Sequence, residues 1–189
     1  MRSIIFPKIS RDHIVTILGA IIAGGHSLRF GGDKAAALLH GKALIEHVAD
    51  GLRPQCDQLI LCGRLWPGYA HIADRPAADL GPLGGLCAAL YYAQQHGFEE
   101  IITAGCDMLP VLLIPAEAPA VIAGHYLFGR WPARLAQQLE KHLVTQPDHS
   151  MRHWIKVTQA AQIAASERLW NLNSPRDLNE YQISLECAA

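Results

Sequence analysis

The segment Ala23-Gly24-Gly25-His26-Ser27-Leu28-Arg29-Phe30-Gly31-Gly32-Asp33-Lys34 concentrates residue types that bind an anion through the main chain. Its glycines let the backbone bend sharply and bring N–H groups against a phosphate. Arg29 and Lys34 add positive charge at the same place, one as a planar fork and one as a compact point charge, which suits a triphosphate. Spacing excludes two familiar phosphate loops. A G-x-x-x-x-G-K-[ST] loop needs Ser or Thr after its lysine, where Ala35 stands, and G-x-G-x-x-G is absent because Gly24 and Gly25 are adjacent. The glycines taken alone fit a tight turn after a strand as well as they fit phosphate binding. Two acids, Asp74 and Asp107, also follow apolar runs, where a carboxylate would project past a strand's end. A surface turn at Asp74 and a cap on the next segment at Asp107 are the plainer uses of those residues.

Strands and helices must alternate to present these groups together. Val15 to Ala23 is a continuous apolar run rich in β-branched residues, as expected of a buried parallel strand. Gln58 to Cys62, His71 to Ala73 and Ile101 to Ala104 read as further strands, with two more at Ala120 to Ala123 and Tyr126 to Gly129. Leu44, Ile45, Val48, Ala49 and Leu52 share one helical face. Leu83, Leu86, Leu90 and Ala93 do so behind Gly81-Pro82, and Leu135, Leu139 and Leu143 behind Pro132. A short helix is expected over Met151 to Val157. Trp170 to Asn173 reads as a strand edge running into Ser174-Pro175-Arg176-Asp177, with serine as N-cap, proline at the first helical position and aspartate at the third. The alternation predicts an α/β fold, a mostly parallel sheet with helices on both faces. Such sheets bind ligands at the carboxyl ends of their strands, which is where the glycines, Asp74 and Asp107 fall.

With 189 residues the chain is expected to form one domain, over residues 14–189, behind a leader of residues 1–13. Half of the residues are hydrophobic and 17% charged, which excludes a disordered or collagen-like chain. Sixteen basic against seventeen acidic residues give a net charge of −1, which excludes a polybasic nucleic-acid or membrane binder. The five cysteines show no C-x-x-C spacing and read as reduced core residues of a cytoplasmic protein. The apolar run beginning at Ile14 is short for a membrane span and leads straight into the glycine-rich segment.

The ordered string A-G-G-x-S-x-R-x-G-G-D-K resembles the signature of MobA-type nucleotidylyltransferases, the molybdenum cofactor guanylyltransferases. Four further pieces resemble that family in its own order. They are His40-Gly41-Lys42-Ala43-Leu44-Ile45-Glu46-His47-Val48, Gly81-Pro82-Leu83-Gly84-Gly85-Leu86, Cys106-Asp107-Met108 and Asn171-Leu172-Asn173-Ser174-Pro175. The resemblance runs from about Val15 to Leu178. It implies a Rossmann-like three-layer α/β/α sandwich of the nucleotide-diphospho-sugar transferase type. It also implies an activity: GMP passes from GTP to the molybdopterin form of the molybdenum cofactor, with Mg²⁺, and pyrophosphate is released. The substrate's own phosphate is the nucleophile in such a reaction, so no Ser-His-Asp or Cys-His arrangement is needed.

The resemblance assigns Gly24, Gly25, Arg29 and Lys34 to the triphosphate, with Arg29, Lys34 and Asp107 as the catalytic set. Asp107 is the implied Mg²⁺ ligand, since Mg²⁺ takes one or two carboxylates plus phosphate oxygens and water. Ala23, Asp74, Gly81, Pro82 and Leu83 complete the implied nucleotide site. Asn171 and Asn173, two apart on an extended segment, are implied on the pterin side with His125 and Arg152. Relatives that use CTP carry A-A-G in place of Ala23-Gly24-Gly25, and the missing methyl leaves room for a purine. Molybdoenzymes or their chaperones are the implied protein partners. The chain departs from the family after Asp107, where Met108-Leu109-Pro110 displaces a proline. Pro115 and Pro119 then break the helix that should follow. Rival readings are a CTP-dependent molybdopterin cytidylyltransferase, a sugar-phosphate nucleotidylyltransferase, and a non-catalytic nucleotide or cofactor carrier.

Overall fold

The computed structural model describes residues 15–24, 30, 32–114 and 117–187. The expected leader, residues 1–13, lies outside them. So do Gly25 and Arg29.

Strand β1 (Ile17–Ile22) alternates its side chains between two apolar layers, which is why every position of the run is hydrophobic or glycine. It sits mid-sheet between β4 (Gln58–Cys62) and β6 (Glu100–Gly105), parallel to both. Two short hairpin strands, β2 (Leu38–Leu39) and β3 (Lys42–Ala43), lead into α1 (Leu44–Leu52). Strand β5 (Ala70–Ile72) pairs parallel with β4 and is followed by α2 (Pro82–Gln95). After β6 come the two-residue β7 (Met108–Leu109), then β8 (Ala120–Ile122) and β9 (His125–Pro132). Helices α3 (Ala136–Thr145) and α4 (Met151–Thr158) precede β10 (Ala161–Ile163), β11 (Trp170–Asn171) and α5 (Pro175–Glu186).

The seven-stranded sheet runs β10-β8-β9-β6-β1-β4-β5, and β9 is antiparallel to both its neighbours. Leu44, Ile45, Val48, Ala49 and Leu52 of α1 pack on one face of the sheet, joined by Tyr181 of α5. Leu83, Leu86 and Leu90 of α2, Leu139 and Leu143 of α3 and Trp154 of α4 cover the other. Both faces are therefore dry, as a parallel sheet requires. This is the expected three-layer α/β/α sandwich. No helix among the described residues is long and apolar enough to cross a membrane.

Several local expectations hold and a few need correction. Ser174 accepts from the Asp177 N–H while the Asp177 side chain accepts from the Ser174 N–H, so α5 begins on a full capping box. No helix is formed by the described residues between Leu109 and Ala120, in keeping with the prolines there. Strand β9 extends to Pro132, beyond the expected Gly129, because its backbone stays in register with β6 as far as Glu100, whose carboxylate also pairs with Arg130. Cys62 and Cys87 are core residues as expected, but Cys187 is exposed behind α5, where no apolar layer covers it.

Candidate active site

At the carboxyl ends of β1 and β6 the main chain stops pairing and the sheet opens into a cavity of about 460 Å³. Ala23 and Gly24 leave β1 along one wall, Cys106 and Asp107 leave β6 along another, and Asp74 follows β5. Gly81 and Pro82 close the cavity at the start of α2. Parallel strands all release their chain at the same edge, so residues dozens of positions apart in sequence share one crevice.

Lys34 and Asp107 meet there. The ammonium of Lys34 forms an ion pair with Asp107 Oδ2, both side chains being mostly buried. Lys34 Nζ also donates to Asn173 Oδ1 at 3.0 Å. Asn173 arrives by a separate route. Strand β11 pairs antiparallel with β7 next to Asp107, and the Leu172 N–H donates to the Asp107 carbonyl at 2.9 Å. Lys34 itself begins a short 3₁₀ turn capped by Asp33, whose Oδ1 accepts from the Ala35 N–H at 3.1 Å.

Glycine is needed where chains approach closely. A Cβ on Gly63 would lie 2.7 Å from the Gly24 Cα, and Gly63 has a φ of 76°, so neither space nor conformation admits a side chain. A Cβ on Gly105 would lie 2.8 Å from Asp107 Oδ1, so the absent methyl leaves that oxygen its place. The oxygen-only donors here, the Asp107 carboxylate and the Asn173 amide oxygen, fit a hard divalent cation that keeps water and phosphate in its shell.

Asp74 stands on the opposite side, against Gly24 and Gly84; a Cβ on Gly84 would come within 3.1 Å of its Oδ2. Burial pushes its carboxyl above the usual range, and the negative charge of Asp79 pushes it further. The fold therefore carries an electrostatic cost when Asp74 is ionised, a cost that fades as pH falls through the raised value. Asp74→Asn is expected to raise the melting temperature of the free protein at neutral pH. The gain over the wild type should shrink as pH drops into the carboxylate range, and thermal melts at several pH values check this. Cys106 is no nucleophile: burial, reinforced by the charge of Asp107, pushes its thiol up to about 11.

The sequence-predicted residues divide clearly. Ala23, Gly24, Lys34, Asp74, Gly81, Pro82 and Asp107 line the cavity. Asn173 reaches it through Lys34. Leu83 is wholly buried in the core beneath α2, away from the lining. Asn171 is exposed on β11 and does not line the cavity. His125 starts β9, and Arg152 lies with its guanidinium 5.8 Å from the Tyr126 ring centre; neither lines the cavity. Ile22, Asp79, Cys106 and Leu127 also line the cavity, none of them among the predicted site residues. Position offered a signal for two of them: Cys106 directly follows a strand, and Asp79 precedes the Gly81-Pro82 helix start.

Known proteins similar to this chain carry informative names. Residues 19–163 match the MobA-like NTP transferase domain. A protein of Rhizobium leguminosarum bv. trifolii named molybdenum cofactor guanylyltransferase is 31% identical, the match covering 90% of this chain and 93% of that one. A protein of the same name from Cereibacter sphaeroides is 30% identical, with 86% and 93% covered. Among solved structures, the molybdopterin-guanine dinucleotide biosynthesis protein A of Archaeoglobus fulgidus superposes with a TM-score of 0.69 at 19% identity, over 90% of this chain and 99% of that one. The CTP:phosphocholine cytidylyltransferase of Streptococcus pneumoniae gives 0.62 at 15% identity, over 90% and 100%. The two solved structures share the fold, whereas the family match and the two sequence relatives carry the lineage: the chain belongs to the MobA-like NTP transferase family and is a nucleotidyltransferase.

Proposed function

We propose that the protein transfers GMP from GTP to the molybdopterin form of the molybdenum cofactor, giving the guanine dinucleotide form and pyrophosphate. The observation that carries this reading is the convergence of Lys34, Asp107 and Asn173 at the edge where β1 and β6 end. The names of relatives about 30% identical over most of the chain supply the acceptor and the base.

A terminal phosphate oxygen of the pterin attacks the α-phosphorus of GTP. The bond from that phosphorus to the β-phosphate bridging oxygen breaks, and the electron pair leaves with pyrophosphate. Lys34, with Arg29, neutralises charge on the triphosphate as it moves toward the leaving group. Asp107, with the Asn173 oxygen beside it, would hold Mg²⁺, which supplies further charge neutralisation on the phosphate oxygens. Ala23, Gly24 and Gly25 offer main chain to the nucleotide. Asp74, Gly81, Pro82 and Leu83 flank its base and ribose, Leu83 through its main chain. His125, Arg152 and Asn171 serve the pterin from outside the cavity. A Cβ on Gly24 would lie 3.7 Å from Asp74 Oδ2, so glycine keeps open the space in front of that carboxylate, consistent with a purine. We assign residues 14–189 to this one catalytic domain, working in the cytoplasm and delivering to molybdoenzymes or their chaperones.

Purified protein supplied with molybdopterin, Mg²⁺ and GTP, CTP or UTP in turn is expected to release pyrophosphate with GTP. Strict preference for CTP would overturn the guanine assignment. Tight GTP binding without turnover would mark a carrier.

A further inference from the structure

The segment Cys62-Gly63-Arg64, at the carboxyl end of β4, touches both described ends of the glycine-rich segment. The Cys62 carbonyl accepts from the Ala23 N–H at 3.0 Å, and Gly63 packs against Gly24. Arg64 then reaches the other end, where its Nη1 is ion-paired with Asp33 Oδ1. Asp33 is the residue before Lys34 and caps the turn that carries it. Arg64 therefore stands on the same strand-end edge as Lys34, paired with the residue that precedes it.

Arginine carries five N–H donors, and among the described residues only Nη1 of Arg64 has an acceptor, which leaves donors free for a second anion. The side chain is 24% exposed, so it is neither sealed in the core nor a free surface arm. A carboxylate on one side of a guanidinium fixes its plane and leaves the other edge aimed, an arrangement suited to bidentate phosphate recognition.

We propose that Arg64 is a polyphosphate-binding residue of this site, its guanidinium oriented by Asp33. The inference rests on the proposed nucleotidyl transfer and adds a residue to it. Arg64 supplies a second described cation at the phosphate edge, held by Asp33. It shares the triphosphate with Lys34 and retains the pyrophosphate product until release. Asp33 stays ionised throughout, since its bond from Arg64 holds its carboxyl below the usual range.

Calorimetric titration with inorganic pyrophosphate and Mg²⁺, alongside KM and kcat for GTP, tests this in the full chain. Arg64→Gln is expected to weaken pyrophosphate binding about tenfold or more and to raise the KM for GTP in step. Arg64→Lys keeps the charge without the fork and should fall between Gln and wild type; it also decides the matter should Arg64→Gln fail to fold. Asp33→Asn preserves a good N-cap while removing the ion pair, so it should give a smaller loss in the same direction. Equal losses in Arg64→Gln and Asp33→Asn that do not add in the double variant would show that Arg64 acts only through the turn, and would overturn direct binding. Lys34→Met serves as the reference. Wild-type pyrophosphate binding in Arg64→Gln, with binding lost in Lys34→Met, overturns this inference and leaves the nucleotide reading standing. Wild-type binding in Lys34→Met overturns that reading and this inference with it.

Discussion

Asp107→Asn is expected to lower the rate of pyrophosphate release about 10³-fold, equivalent to roughly 4 kcal/mol of lost transition-state stabilisation. The substitution keeps the size and planarity of the side chain, so Gly105 still leaves it room. What it removes is the formal charge that answers Lys34 and would hold a divalent ion. The fold should survive, because the lost pair is at the cavity edge and Lys34 retains the Asn173 oxygen; a cost of about 1–2 kcal/mol is expected. Turnover with GTP, molybdopterin and Mg²⁺, measured beside a melting curve, separates the two effects. A variant that melts like the wild type and turns over within tenfold of it would contradict the role given to Asp107.

Lys34→Met should cost about 10²–10³-fold in turnover, the range seen when one preorganised donor is removed from developing charge. The ammonium is held by Asp107 and Asn173 at the edge of the cavity. Methionine fills similar volume without charge, so packing changes little. Because Lys34 and Asp107 contact one another, their losses should not multiply. The double variant is expected to be only modestly worse than the poorer single one. Full multiplicativity would mean that the two side chains act independently, against the geometry described here. Steady-state rates for the four proteins of the cycle decide it.

Much of this arrangement is legible in the sequence because local and global signals agree. The apolar run of β1 has no polar face, so it had to be a central strand, and its glycines had to begin at the strand's end. Helix α5 announces itself through Ser174, Pro175 and Asp177, whose capping interactions need only neighbouring residues. The strand-end rule likewise places Lys34, Asp74 and Asp107 in one crevice. Other features depend on pairing between distant segments. Strand β10 is three largely exposed residues at the sheet's edge, held there by its register with β8 and not by any apolar run of its own. Arg130 sits inside a strand with its guanidinium paired diagonally to Glu100 of β6, a partner that no reading of β9 alone could show.

The same division holds at the site. Asn173 reaches Lys34, 139 residues earlier in the chain, only because β11 pairs with β7 beside Asp107. Asn171, two residues before it, was expected to face the crevice as well, yet it is exposed on β11 and does not line the cavity. Arg64 lies two residues past the end of β4, as Asp107 lies past the end of β6, so the rule that finds Asp107 also points to it. Its meaning nevertheless depends on Asp33, 31 residues earlier. Leu83 shows the converse: inside a resembling motif its side chain packs in the core, while its neighbours Gly81 and Pro82 line the cavity.

A crystal structure of the protein with GTP and Mg²⁺ tests the central claim most directly. The account predicts a metal ion about 2.1 Å from an Asp107 oxygen, with the triphosphate against Lys34 and the base toward Asp74. A triphosphate bound elsewhere, with Lys34 and Asp107 still paired only to each other, would contradict it.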